Sequence, residues 1–495
     1  YKILDDLSFK VNAGYTKLVR DYNGLFSKNE YRPENRDGQM DRATQNNRSR
    51  KSWILEPQLV YSTRIGEGTL DGLVGLTFQE NESSNLSVAG EGFVSETLIK
   101  DLASAEEVNV DDNTYSMYRY NAIFARLGYN WKQKYYINLT GRRDGSSRFG
   151  PDKRFSSFGA LGGAWIFSEE PFIENNLHFL SFGKFRGSYG TTGSDQIGDY
   201  GYIDAYEVTD GPNGLYPTQL TNPDYSWEEN KKLEAAIELG FIKDRVNLGV
   251  SWYRNRSSNQ LVGFPLPSTT GFSTVQANLP ATVQNTGWEF EISTINISTE
   301  KFKWQTFLNL SIPNNKLLSF PDIDQTSYAN IYRVGHPLNI NLLYQYDGID
   351  PETGFYQVVD MNEDGRLDYE DRVDIKNVGR KYFGGITNNL SYKGIGLSFL
   401  FEFINQDARE RNMALPGSPN QQTMDFYRRW QYGENQDIQK ISQSTQASRA
   451  YNNYRLTDQI ISDGSFLRLR TLNLSYTLPS IFLQKFKIGQ CKLFL

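Results

Sequence analysis

From Asn121 to Trp131 the chain reads NAIFARLGYNW. Ile123, Ala125, Leu127, Tyr129 and Trp131 share one face of an extended strand, and Arg126, Gly128 and Asn130 share the other, because successive strand side chains point to opposite sides. After the turn KQK, YYINLTGRR sets Tyr135, Ile137 and Leu139 opposite Asn138, Thr140 and Arg142. Period two on both sides of a short polar turn predicts a tight hairpin. The unit recurs. LEAAIELGFI and VNLGVSWYRN flank KDR, with Val246, Leu248, Val250 and Trp252 against Asn247, Gly249 and Ser251. WEFEISTINI and FKWQTFLNLSI flank Ser298 to Lys301. YFGGITNNLSY and IGLSFLFEF flank Lys393 and Gly394, and Ile395, Leu397, Phe399, Phe401 and Phe403 form a continuous apolar face.

Between these hairpins the connections are long: RDGSSRFGPDKR, then Thr191 to Lys231, Ser257 to Thr282, Leu318 to Lys381 and Gln406 to Ser465. Asn81 to Tyr115, acidic and weakly patterned, also reads as loop. Short turns at one end of the strands and long loops at the other are the pattern of an outer-membrane barrel, with the turns periplasmic and the loops extracellular. A soluble sandwich has no reason to sort loop lengths this way. SEEPFIENNLHFL breaks the rule as a longer, partly helical connection on the periplasmic side. The predicted fold is all-β: a transmembrane antiparallel β-barrel with long extracellular loops. The units amount to roughly fifteen strands with nine to eleven membrane residues each. That is a part of a plugged barrel of about twenty-two strands. In SFLRLRTLNLSYTLP, simple alternation puts Arg468 and Arg470 on the face of Leu472, Leu474 and Tyr476. The two arginines are therefore expected near or above the extracellular interface, where charge costs little.

Composition agrees. Aromatics make up 14% of the 495 residues and hydrophobic residues only 38%, and mean hydropathy is -0.57. Only alternate residues of a membrane strand face lipid, and aromatic girdles mark both interfaces. A secreted β-sandwich or β-solenoid shares this low hydropathy, and loop lengths decide between them. The net charge of -6 comes with no basic stripe, which argues against nucleic acid as a partner. The one cysteine, Cys491, forms no internal disulfide. No apolar run reaches the about twenty residues of a membrane helix. Both ends stand in strand-like alternation, so the chain is expected to be a piece of a longer protein, residues 1–495 forming a partial barrel domain.

Specific stretches carry a resemblance. GRRDGSSRFGPDKRF, FRGSYGTTGSDQIGDY, NPDYSWEENKKLEAAIELGF, DMNEDGRLDYEDR and DGSFLRLRTLNLSYTLP resemble the barrel of SusC/RagA-type TonB-dependent outer-membrane transporters of the Bacteroidetes. The resemblance runs in order across nearly the whole chain. It implies a multi-pass barrel in the outer membrane of a Gram-negative bacterium, embedded in outer-membrane lipid. It also implies uptake of large nutrients, oligosaccharide or peptide, powered by TonB. A SusD-like surface lipoprotein as partner, and a dimer of such pairs, are implied in the same way. The family's N-terminal extension, TonB box, plug and last strands have no counterpart in these residues.

One segment is not barrel-like. In DMNEDGRLDYED, counted from Asp360, side-chain oxygens fall at positions 1, 3, 5, 9 and 12: Asp360, Asn362, Asp364, Asp368 and Asp371. Arg366 offers its carbonyl at position 7, and Gly365 at position 6 permits the sharp turn. This is the spacing of a calcium loop, with Asp in place of the usual bidentate Glu. The flanks do not read as paired helices, so residues 360–371 make an EF-hand-like loop, inside the long extracellular loop, for a structural Ca2+. The same residues also suit a solvated acidic turn; the complete spacing favours calcium.

Catalysis finds no support. His178 and His336 are far apart, read as a turn residue and a strand-end residue, and no HExxH, P-loop or GxSxG occurs. No carboxylate pair stands out for glycosidase work. The rivals are a passive porin, narrower at about sixteen to eighteen strands, and a secreted glycan-binding protein. Tyr200, Tyr202, Tyr206 and Trp227 are candidates to stack on sugar rings, although such residues more often pack within their own loops. Asn138, Thr140, Arg142 and Asn247 would line a polar lumen without choosing between sugar and peptide.

Overall fold

The computed structural model describes residues 1–208, 214–266, 268–410, 414–418, 427–431, 437–479, 483 and 488–495. Among the described residues sixteen strands form one sheet, and its hydrogen-bonded path follows chain order. Its first members are β1 (Leu7–Phe26), β2 (Arg42–Ile65), β3 (Gly68–Glu91), β4 (Glu107–Trp131), β5 (Tyr135–Ser146), β6 (Phe155–Trp165) and β7 (Leu180–Ser194). There follow β8 (Glu228–Phe241), β9 (Val246–Pro265), β10 (Thr274–Ser298), β11 (Phe302–Ser319), β12 (Arg380–Tyr392), β13 (Ile395–Arg409), β14 (Phe466–Thr477) and β15 (Lys492–Phe494). The short strand Ile461–Asp463 lies beside β13 off this path. Contacts group the chain into two compact units: residues 1–163, 190–230 and 259–279, and residues 164–189, 231–258 and 280–495.

In the first unit the predicted hairpin is present, β4 pairing with β5 from Trp131↔Tyr135 to Tyr120↔Ser146. Its KQK turn is closed by Lys132 and Gln133 at left-handed φ of 53° and 55°. The strands are far longer than expected. β3 and β4 stay paired up to Glu91↔Glu107, so the predicted loop from Asn81 to Tyr115 is mostly ladder, and only residues 92–106 leave it. The sequence hid this because the alternation there is short, Leu86 and Val88 on one strand and Val108 and Val110 on the other, and polar runs such as Asn81–Asn85 and Asp111–Thr114 interrupt it. The expected connection from Ser257 to Thr282 is also shorter, since β9 runs to Pro265 and β10 starts at Thr274.

In the second unit β10 pairs with β11, β11 with β12, β12 with β13, and β13 with β14. Lys393 and Gly394 turn the β12–β13 hairpin at φ of 46° and 89°. The connection on the predicted periplasmic side is partly helical as expected, with an α-helical turn at Pro171–Glu174. One expectation fails. β14 carries a bulge: Phe401 faces Leu469 but Leu400 faces Thr471, and Arg470 is the extra residue. A bulge switches the face on which side chains emerge. Leu467 and Leu469 therefore join Leu472 and Leu474 on the exposed apolar face. Arg468 lies opposite Glu402, and Arg470 Nη1 donates to the Glu402 carboxylate at 2.9 Å. The arginines thus leave the apolar face.

Candidate functional site

Two constructions on the predicted extracellular side carry the candidate chemistry. The first ties loops together in the first unit. Phe149 and Tyr225 are fully buried, and Phe158 and Trp227 nearly so. Trp227 meets Phe149 at 5.2 Å and Phe158 at 5.8 Å between ring centroids, and its indole N–H donates to the Arg154 carbonyl at 3.1 Å. Beside this cluster, Arg148 donates to Asp199 at 2.8 Å and to the Asp195 carbonyl at 2.8 Å. The Arg148 guanidinium lies 4.3 Å over the Tyr118 ring, whose hydroxyl donates to Asp195 at 2.7 Å. Trp227 and Tyr202 are thus held inside their loops, and the Tyr200 hydroxyl accepts from the Met117 N–H at 2.9 Å. Tyr206 alone of the four aromatic candidates projects strongly, with 56% exposure. Arg148 and its acidic partners escaped the sequence reading as a site, although both segments were part of the family-like pattern. Of the expected lumen set, Arg142 donates to Asp144 at 2.8 Å, and Asn247 to the Asp244 carbonyl at 3.0 Å. His178 lies in a turn, and His336 in a bend whose carbonyl accepts from Leu317 N–H at 2.8 Å.

The second construction, in the other unit, is the loop at Asp360. It hangs from two small antiparallel strand pairs, Ile340–Leu343 with Asp374–Asn377 and Tyr346–Ile349 with Tyr356–Val358. Tyr356 stacks on Tyr454 of helix α1 (Thr445–Tyr454) at 3.9 Å and 12°. Ser444 caps that helix by accepting from Ala447 N–H. Burial pushes the Tyr346 hydroxyl up to about 12 and raises that of Tyr356 further, so this aromatic platform stays uncharged.

Within the loop every candidate side chain holds a turn. Asp360 Oδ2 accepts from Gly365 N–H at 2.8 Å, Asn362 from Asp364 N–H at 3.1 Å, and Asp364 from Arg366 N–H at 2.7 Å. Asp368 accepts from Glu370 N–H at 2.8 Å. Gly365 has φ of 78°, the conformation position 6 requires. Asp371 is fully buried and accepts from Met361 N–H at 2.8 Å and Asp368 N–H at 2.9 Å. Those N–H groups, that of Asp368 first, hold its carboxyl below the usual carboxylate range against the opposing effect of desolvation. Asp360 Oδ1 is buried without a hydrogen-bond partner, the condition a cation would relieve. Among the described residues no three Asp, Glu, His or Cys side chains converge as a metal cluster. The turns of a calcium loop are in place, and its carboxylates are not gathered.

Long strands, outward apolar faces and extracellular loops define the class: an outer-membrane β-barrel protein. Residues 1–339 match the TonB dependent receptor-like, beta-barrel family, and the chain belongs to that family. TonB-dependent receptor P3 of Formosa agariphila is 25% identical over the whole chain and 52% of its own length. TonB-dependent receptor SusC of Bacteroides thetaiotaomicron is 26% identical over 72% of the chain and 38% of its own length. The RagAB peptide transporter superposes on the whole chain with a TM-score of 0.83 at 22% identity, over 56% of its own chain, which shows the fold. The chain spans about half the length of the curated relatives it matches. Family membership places it in the outer membrane, and the family is one of transporters rather than enzymes.

Proposed function

We propose that this chain is the barrel portion of a TonB-dependent importer of large nutrients, oligosaccharide or peptide, that works with a SusD-like surface lipoprotein. The sequence similarity to SusC carries this reading. The long extracellular walls and tied loops support it, because a lid-type partner needs a firm rim to close on. The test is native mass spectrometry of the complex gently extracted in detergent. A protein about twice this length with a lipidated partner is expected. A protein of this length without a partner would overturn the reading and favour the passive porin.

We also propose that residues 360–371 take up one structural Ca2+ through Asp360, Asn362, Asp364, the Arg366 carbonyl, Asp368 and Asp371. The support is the ligand spacing, the preset turns and the unpartnered Asp360 Oδ1. A cation would draw in the second carboxylate oxygens of Asp360, Asp364 and Asp368 and relieve the repulsion among four aspartates. Chelation should speed protease cleavage near Asp360 while the barrel stays folded. A cleavage pattern indifferent to chelator and to added calcium would sink the proposal.

A further inference from the structure

The loop-side end of β1 and β2 carries a surface that neither the tied loops nor the Asp360 loop uses. Even-numbered side chains of β1 emerge opposite the apolar face of Leu7, Phe9, Val11 and Tyr15. Tyr15, 68% exposed, closes that apolar face as a girdle aromatic would. Beyond it the even positions hold Arg20, Tyr22, Gly24 and Phe26. Arg20 lies about 17 Å past Tyr15 along the strand, or about 13 Å upright at a tilt of roughly 40°. The surface therefore stands above the membrane, on the side of the long loops and on the face turned away from lipid.

Three guanidinium groups crowd this surface. Arg20 and Arg48 are direct ladder partners, a placement in which like charges repel. Arg50 follows two residues after Arg48 on the same face. Arg42, also on that face, is held by Asp111 at 3.2 Å; among the described residues the other three arginines have no carboxylate partner. β2 is flanked on both sides, and its neighbours on β3 are Asn85 beside Arg48 and Ser83 beside Arg50, so the adjoining strand supplies no anion to either. Next to the arginines two rings close over a bare glycine. A Cβ at Gly24 would stand 3.0 Å from Phe26 Cε2 and 3.2 Å from Tyr22 Cε1, so any side chain there would push the rings apart. Tyr22 and Phe26 remain 48% and 47% exposed, and together they form an open aromatic patch beside the charge.

We infer that this surface binds an acidic oligosaccharide, one that bears carboxylate or sulfate groups. The inference rests on the importer reading and narrows its cargo. A guanidinium pairs with an oxyanion through parallel N–H donors, and the C–H face of a sugar ring packs on the negative face of an aromatic ring. A neutral sugar would cover the rings and leave three cations unanswered. An acidic peptide would answer the cations without using the rings.

The test is isothermal titration calorimetry on the full-length protein in detergent, together with any lipoprotein that co-purifies. Four probes of matched length are titrated: a galacturonate oligomer, a κ-carrageenan oligomer that carries sulfate alone, a neutral malto-oligomer and a glutamate peptide. At least one acidic sugar is expected to bind more tightly than the neutral sugar and the peptide, and whichever it is names the anion. The double variant Arg20→Gln/Arg48→Gln should bind it roughly tenfold less tightly, from about threefold per exposed ion pair, with a weaker salt dependence. Gly24→Val parts the rings and keeps every charge, so it should lower affinity and leave the salt dependence as it was. Arg64→Gln, at the far end of the same face of β2, should change nothing. Equal binding of the neutral sugar, tighter binding of the peptide, or an affinity indifferent to the arginine pair or to Gly24→Val would overturn the assignment. Silence from all four probes, with the lipidated partner still found by mass spectrometry, would sink the acidic cargo and leave the importer standing. The arginines are exposed, so their loss should not unfold the sheet, and an unchanged Tm in each variant would confirm it.

Discussion

Asp371 fills the last position of the Asp360 loop while being fully enclosed. Both oxygens serve backbone N–H groups, so an Asp371→Ala change strips two turns at once. Several-fold faster proteolysis between Asp360 and Asp371 is expected, with the rest of the digest unchanged. The pH response follows from the lowered carboxyl. A depressed folded-state pKa adds stability that is present above the unfolded value and disappears as pH falls through the folded one. The unfolded value is near 3.8, so the loop should keep its protection through mildly acidic pH and lose it only below that value, as proteolysis with an acid-active protease would report. At this scale the sequence was informative about donors and turns, because Asx turns follow from local spacing. It was silent on Asp371's burial, and on Arg148's partners Asp195 and Asp199, which are distant in the chain.

At the scale of the strand, the bulge at Arg470 shows where alternation misleads. Period two is reliable only while one residue faces one residue, and an extra residue inverts every side chain beyond it. The sequence placed Arg468 and Arg470 with the leucines; the ladder turns both toward Glu402. In a Cys491→Ser background, Leu469→Cys should react with a membrane-soluble thiol reagent and Arg470→Cys with a charged maleimide. The reverse labelling would argue for an unbulged strand. Leu469→Arg should lower stability by about 2–4 kcal/mol if it lies at mid-bilayer and by about 0–1 at the interface, as a urea-unfolding series in lipid vesicles would measure. The predicted hairpins at KQK and at Lys393–Gly394 were legible because one of their faces is apolar. The upper halves of β3 and β4 were not, because polar runs break the apolar period down to Leu86, Val88, Val108 and Val110.

At the scale of the molecule, the loops of the first unit are anchored by packing as well as by polar contacts. Trp227→Ala would remove the ring on which Phe149 and Phe158 rest and leave the Arg154 carbonyl without its indole donor. A loss of about 3–5 kcal/mol is expected for such a truncation, seen as a lower Tm and earlier cleavage in the loops around Arg148 and Asp199. The family and the sorting of loops were visible from sequence, since both rest on patterns repeated along the chain. The pairing of strands in chain order has a consequence of its own. Each strand along the path is flanked by its predecessor and its successor, so a strand once laid down presents a ready edge for the next. Few distant segments need to find each other, and loop closure is brief at each step. Assembly can therefore advance hairpin by hairpin, with the growing edge as template, and an interruption would strand the protein with one open edge rather than a scrambled core.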